Sequence, residues 1–360
     1  MMKTWKYILI LIPVLILSLQ VDAQRQEIQI PDIEGYITLK GDLHTHTVFS
    51  DGLVWPTYRV DEAWREGLDV IALTDHLEYT PFSNDVAVDA ARPYEIAKSL
   101  AARHGLLLIQ GVEITRGMPP GHLNALFLDD PEKLRLDEVN DVMKEALSQD
   151  AYIFWCHPGW RGQQPDGVVR VYDLHREWFD KGWIHGVEFG NSQTYYPEVP
   201  DIAREHDLAL LANSDIHGVS GDTYTPRTDM HRPLTLIFSE DNSKEAVREA
   251  MFDGRMVAWI QNIIAGSEKW ITQLLNASFT VEPSHYQTDD NKWVTVRNES
   301  DFLIHLEKEE NTDGPNSLRL EPLTTTVVQI PRGVNTIRYK VLNTRTIETG
   351  GPLILDLEIP

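Results

Sequence analysis

The chain has 360 residues, 42% of them hydrophobic and 9% aromatic, enough to bury a large core in one big domain or in two. Its 55 acidic against 32 basic side chains leave a formal charge of −23, which argues against nucleic acid as the main partner, because nucleic-acid binders present basic surface. The single cysteine, Cys156, excludes an intrachain disulfide, and its place inside an apolar run marks a buried, inert thiol.

Residues 1–23 read as a secretory leader. Lys3 and Lys6 precede an apolar stretch at 7–19, and Val21-Asp22-Ala23 sets small residues at the cleavage positions before Gln24. The stretch is shorter than the ~20 residues a spanning helix needs. No cysteine follows it for lipid attachment. The expectation is an exported protein, periplasmic or extracellular, with no stable membrane span after cleavage.

From about residue 35 to 266, apolar runs alternate with amphipathic stretches. The runs are 36–43, 68–73, 105–112, 123–128, 151–156, 184–190, 207–213, 233–238 and 255–260, and helix-like segments fall at 60–66, 93–104, 136–149, 171–181, 199–205 and 243–252. This alternation predicts parallel strands with helical crossovers. Seven or more such units predict closure into a barrel with its active site at the C-terminal mouth. One more helix begins near Ser267. Beyond it FTVEPS, KWVTVRNES, FLIHLEK, TTVVQIP and TIRYKVLN predict antiparallel strands of a small β-sandwich. The chain thus divides into a leader at 1–23, an α/β barrel at 24–278 and an all-β region at 279–360; the last carries no clustered acid, base or metal ligand.

The chemistry collects at the ends of the runs. In GDLHTHTVFSDG, His44 and His46 alternate along a strand and so share a face, with Asp51 on the following turn. His76 ends DVIALTDH, Glu113 ends LLLIQGVEIT, His157 ends AYIFWCHPGW, and Asp215 and His217 end LALLANSDIHG. His122 alone stands at the start of a run, GHLNALFL. These nine side chains, eight at strand ends, point to a divalent-metal hydrolase site. Asp75, beside His76 but on the opposite face, reads as an orienting residue.

HTHTVFSDG, TDH, GVEIT, CHP and SDIH together resemble the motif series of PHP-domain (polymerase and histidinol phosphatase) phosphoesterases over residues 36–265. The resemblance implies a distorted (β/α)7 barrel holding three divalent ions, manganese, zinc or iron. It implies one ion on His44, His46, Glu113 and Asp215, a second on Asp51 and His76 with Glu113 bridging, and a third on His122, His157 and His217. WPTYRVDEAWREGLD, EITRGMPPGH and TPRTDMHRPLTLIF are further similar to secreted Sb-PDE-type phosphodiesterases. Members of that group hydrolyse dialkyl phosphodiesters, so the likeness implies hydrolysis of small phosphodiesters, with Glu113 and Asp215 at the reacting centre; a multinuclear site would supply a metal-bridging hydroxide as the nucleophile.

His231, after the last loop, is a candidate proton donor to the leaving group or else a supporting residue. Arg116, Arg161, Arg227 and Arg232 offer forks for phosphate oxygens. Of the tryptophans and tyrosines on the loops (Trp55, Trp155, Trp160, Trp178, Trp183, Tyr195 and Tyr196), Trp160 after His157 is the best wall for a substrate pocket, and Trp178 and Trp183 read as core. Two other readings stand beside the phosphodiesterase: a phosphomonoesterase or a nuclease of short nucleotides, and, in a different class, a secreted binding protein with a vestigial barrel.

Overall fold

The computed structural model describes residues 24–225, 230–310 and 312–360. The leader at 1–23 and Arg227 lie outside the described residues. No helix among those described is long and apolar enough to cross a membrane.

The first 278 residues fold in the order β1 (Ile37–Asp42), α1 (Pro56–Arg65), β2 (Val70–Leu73), α2 (Arg92–His104), β3 (Leu107–Thr115), β4 (His122–Leu126), α3 (Val139–Ser148), β5 (Tyr152–Trp155), α4 (Asp173–Asp180), β6 (Gly186–Asn191), β7 (Thr194–Tyr195), α5 (Val199–His206), β8 (Ala209–Asn213), β9 (Leu234–Ser239), α6 (Lys244–Phe252), β10 (Met256–Ile260), β11 (Ile263–Gly266) and α7 (Glu268–Ser278). Each of the nine apolar runs overlaps a strand. β2, β4, β5, β6, β9 and β10 are buried at every position, which is why they read as continuous apolar runs rather than as alternation. The helices start where local chemistry allows. Pro56 opens α1, where its missing N–H costs nothing, and Ser243 caps α6 by accepting from the Ala246 amide at 3.2 Å.

The strand directions depart from the uniformly parallel expectation. β1, β2 and β3 run parallel, as do β5, β6 and β8, but β4 lies antiparallel between β3 and β5. The link from β3 to β4 is too short for a crossover helix, so the chain turns back as a hairpin. β9 likewise runs antiparallel to β1, and β10 is antiparallel to β9. The sheet curls until the ends of β8 and β1 meet: the Asp215 amide donates to the His44 carbonyl (2.9 Å) and the His46 amide to the Ile216 carbonyl (3.1 Å).

The remaining strands are β12 (Phe279–Gln287), β13 (Asn291–Asn298), β14 (Ile304–Lys308), β15 (Ser317–Leu320), β16 (Thr325–Pro331), β17 (Thr336–Val341), β18 (Thr344–Thr346) and β19 (Leu353–Glu358). They form two antiparallel sheets, β12-β13-β16 and β15-β14-β17-β19, except for β18, which runs parallel beside β11 in the large sheet. One apolar core crosses from sheet to tail. Phe238 and Trp259 of the large sheet and Trp270, Ile271, Leu274 and Leu275 of α7 belong to the same buried cluster as Val294, Phe302, Ile304, Tyr339 and Leu355.

A chain ending at Ser278 would expose one side of this cluster, and each fully buried apolar side chain contributes roughly 1.5–3 kcal/mol. The truncated chain is expected to aggregate where the full chain stays soluble, read as the soluble fraction after expression. A soluble, cooperatively melting product would show instead that the tail is dispensable for folding.

Candidate metal centre

The curled sheet brings all nine ligand candidates to one rim. His44, His46 and Asp51 follow β1, His76 follows β2, Glu113 sits near the end of β3, His157 follows β5, and Asp215 and His217 follow β8. His122 opens β4, and the antiparallel course of β4 explains why: in register with Thr115, its first residue lies at the rim where β3 ends. His157 (φ +26°) and Asp215 (φ +51°) both adopt left-handed backbone, a conformation costing about 1–3 kcal/mol that tends to persist at functional sites.

Glu113 is the hub and is fully buried. Its Oε1 lies 2.8 Å from His122 Nδ1 and 3.1 Å from His157 Nε2. Its Oε2 lies 3.4 Å from both His44 Nε2 and His46 Nε2, and 2.7 Å from His76 Nδ1. Asp215 Oδ1 stands 3.3 Å from His44 Nε2 and 2.9 Å from His46 Nε2. Asp51 Oδ1 stands 3.0 Å from His217 Nε2 and 3.4 Å from His76 Nε2.

His217 therefore joins Asp51, His76 and His46, not His122 and His157 as the resemblance implied. The reason is the strand order: β8 closes against β1, which carries Asp51, while His122 and His157 sit on neighbouring strands across the rim.

This donor set fits divalent cations. His44 Nε2, His46 Nε2, Asp51 Oδ1 and Glu113 Oε2 are buried and make no hydrogen bond, despite neighbours at 2.7–3.4 Å. A buried polar atom left unpaired costs about 1–3 kcal/mol. Four such atoms aimed at shared space, on imidazole and carboxylate, are what an ion would satisfy.

The supporting layer contains residues that sequence reasoning missed. Glu188, buried in β6, accepts from His44 Nδ1 (3.0 Å), Asn213 Nδ2 (3.0 Å), Asn191 Nδ2 (2.8 Å) and the His157 amide (2.7 Å), leaving His44 Nε2 as the free ligand nitrogen. The signal was a lone charge inside the apolar run GVEFGN. Arg59 of α1, also buried, donates to the carbonyls of His46 (3.0 Å), Ile216 (3.1 Å) and His217 (3.1 Å), and pairs with Glu62. Asp75 acts as an orienter of His46 rather than of its neighbour His76. It accepts from Thr47 and from Ser50 Oγ (2.6 Å), and Ser50 Oγ faces His46 Nδ1 at 3.4 Å.

Other candidates stand apart from the cluster. His231 stacks on Trp259 (4.0 Å between centroids) and, with Arg232, lines a cavity of about 730 Å³ to which none of the nine contributes. Arg232 is buried, its Nε on Asp42 (2.6 Å) and its Nη1 on Glu66 (2.8 Å). Arg116 reaches Glu78 (3.0 Å) and the Leu136 carbonyl (2.8 Å), and Arg161 lies exposed along Gly167. Trp155 is core, packed on His175, and so is Trp178, which donates to Asn140. Trp160 stays at the mouth, 5.5 Å from the His157 ring and 5.7 Å from that of His122.

Imidazoles and carboxylates this close shift one another's protonation. Burial drives His46 down to about 3, with His76 adding to the effect. Burial also opposes charge on His76, but Glu113 and Asp51 outweigh it and raise His76 to about 10. Glu113 itself falls well below the usual carboxylate range, because the His76 and His44 charges overcome its burial.

No family model matches the chain. A two-domain protein of Bacteroides vulgatus, described as containing a predicted PHP-like metal-dependent phosphoesterase, shares 35% identity at a TM-score of 0.88, covering 93% of this chain and 99% of its own. This chain belongs to the PHP-like metal-dependent phosphoesterases. An uncharacterized protein of Methanocaldococcus jannaschii is 26% identical over 191 residues, 50% of this chain and 82% of that one. A 5'-3' exoribonuclease of Haemophilus influenzae is 37% identical over 79 residues, only 24% of its length.

Two outcomes follow for ion binding. Glu188→Gln should weaken ion affinity about 10–100-fold, by loosening His44; titration with a competing chelator measures it, and unchanged affinity would remove Glu188 from the support. A histidine raised to about 10 carries a proton at pH 7, yet it must be neutral to bind an ion. Ion uptake should then release protons and strengthen as pH rises, seen by calorimetry as a binding heat that depends on the buffer. A heat independent of the buffer would contradict this.

Proposed function

We propose that this protein is an exported metal-dependent phosphodiesterase of small phosphoesters, akin to the Sb-PDE-type group. The observation that carries the reading is the convergence at the rim of four buried ligand atoms that make no hydrogen bond and have other ligand atoms within 2.7–3.4 Å. Overlapping donor groups support three ion subsites: His44, His46 and Glu113, with Asp215 facing both imidazoles; His76, Glu113 and His122, with His157 on the same carboxylate; and His46, Asp51, His76 and His217. In this reading the curled sheet is a distorted (β/α)7 barrel and the rim is its mouth. Manganese, zinc or iron held there supplies Lewis acidity, acidifying water and offsetting charge on the phosphoryl oxygens.

The chain's own residues position and shield. Glu188 and the Asp75–Ser50 pair fix the tautomers of His44 and His46. Arg59 holds together the two loops that carry His46 and His217. Arg116 and Arg232 each engage a carboxylate, and Arg161 lies exposed on the loop after His157. The preference for a diester rests on the likeness to the Sb-PDE-type group. The likeness to the exoribonuclease supports a second reading, cleavage of short nucleotides, while the charge of −23 disfavours long polyanions. Export rests on the residues at 1–23.

The test is a panel of bis-(p-nitrophenyl) phosphate, p-nitrophenyl phosphate and short oligonucleotides, with protein stripped by chelator and reloaded with manganese or zinc. The expected result is preference for the aryl diester, loss of activity on stripping, and a reloaded ion content near three per chain. Monoester preference, or full activity with one ion, would overturn the respective part.

A further inference from the structure

We propose that Trp160 and Tyr79 select phosphoesters that carry a planar aromatic group beside the phosphate, an inference that rests on the phosphoesterase reading of the cluster. Tyr79 stands with its ring 5.8 Å from His76, and Trp160 stands against His122 and His157, so each abuts ligand imidazoles at the mouth. The imidazoles beneath are almost wholly buried, yet Tyr79 is 51% and Trp160 48% exposed. Other large aromatics close by, Trp155 and Tyr196, are packed away in the core. Two aromatic faces left in water beside a set of charged groups are suited to a ligand that is flat and apolar at one end and anionic at the other.

Trp160 is held in place before any ligand arrives. Its amide donates to the His157 carbonyl (2.9 Å), and its carbonyl accepts from the amides of Gln163 (2.9 Å) and Gln164 (2.8 Å). The indole rests on Gly162, where an added Cβ would fall 2.5–2.7 Å from the ring carbons. Gln163 Nε2 then donates to the Arg116 carbonyl (2.9 Å), tying this loop to the one that leads into His122. One indole face is thus fixed on backbone and the ordering entropy is already lost, so a stacking ligand gains most of the contact. An alkyl substituent lacks the π-face that stacking uses. Aryl groups and nucleobases share it, and the test separates them.

The experiment uses the ion-loaded full chain and p-nitrophenyl diesters with one leaving group and three retained groups: methyl, phenyl and thymidine-5'-yl. In the wild type, kcat/KM for the phenyl or thymidine ester should exceed that for the methyl ester by roughly fivefold or more, the scale of one stacking contact. Trp160→Ala and Tyr79→Ala should collapse that ratio. Gly162→Ala, whose backbone is not left-handed, should lower it with the indole still present. The retained group that gives the largest ratio identifies an aryl or a nucleobase ligand. Affinities of phenylphosphonate and methylphosphonate for the ion-loaded protein give the same ratio without turnover. If no ester is hydrolysed but phenylphosphonate binds more tightly and loses that advantage in Trp160→Ala, the hydrolase reading fails and the aromatic site stands. Folded variants with wild-type ratios in both measurements would overturn the aromatic proposal.

Discussion

Burying the Glu113 carboxylate requires opposite charge or donors on every side, and the rim is built around meeting that need. His122 and His157 face one oxygen; His44, His46 and His76 face the other. The β3–β4 hairpin serves the same end, because only an antiparallel β4 puts His122 beside Glu113. Five imidazoles thus crowd one carboxylate, an arrangement suited to a cation that the nitrogens and oxygens would share.

Around this centre lies a second set of buried charges with the opposite property: their main contacts are hydrogen-bonded pairs. Arg232 joins Asp42 to Glu66, and Arg59 joins Glu62 to three loop carbonyls. Asp42 in turn accepts from the amides of His44 and Ser214, the residues flanking the β1–β8 closure. Removing one partner of such a buried pair typically costs about 3–5 kcal/mol. The loops bearing His44, His46, Asp215 and His217 are therefore held by the protein itself, and an ion meets ligands already in place.

The tail is joined to this architecture rather than hung from it. β18 extends the large sheet beside β11, and α7 is covered by the β-rich region through one shared core. Apolar surface of β9, β10 and α7 is thereby covered.

Much of the site could be read from local pattern, because a histidine or acid at the end of an apolar run is a local signal and strand periodicity fixes which residues share a face. His44 with His46, Asp215 with His217, and the lone Glu113 were legible for that reason, as were the apolar runs and the seven helices to within a few residues. The LILDLE strand alternates as plainly but went unread, and β18 is too short to carry a pattern. Strand direction was not legible, since a buried strand has the same composition whichever way it runs; hence β4 and β9 were expected to be parallel. Partnership across the rim depends on which strands become neighbours when the sheet curls, and this moved His217 to Asp51. It also closed the forks of Arg116 and Arg232 on carboxylates distant in sequence. Glu188 and Arg59 carry no local sign of their partners. Their roles exist only where the folded chain surrounds each charge with the carbonyls, amides and imidazoles of segments far away in sequence.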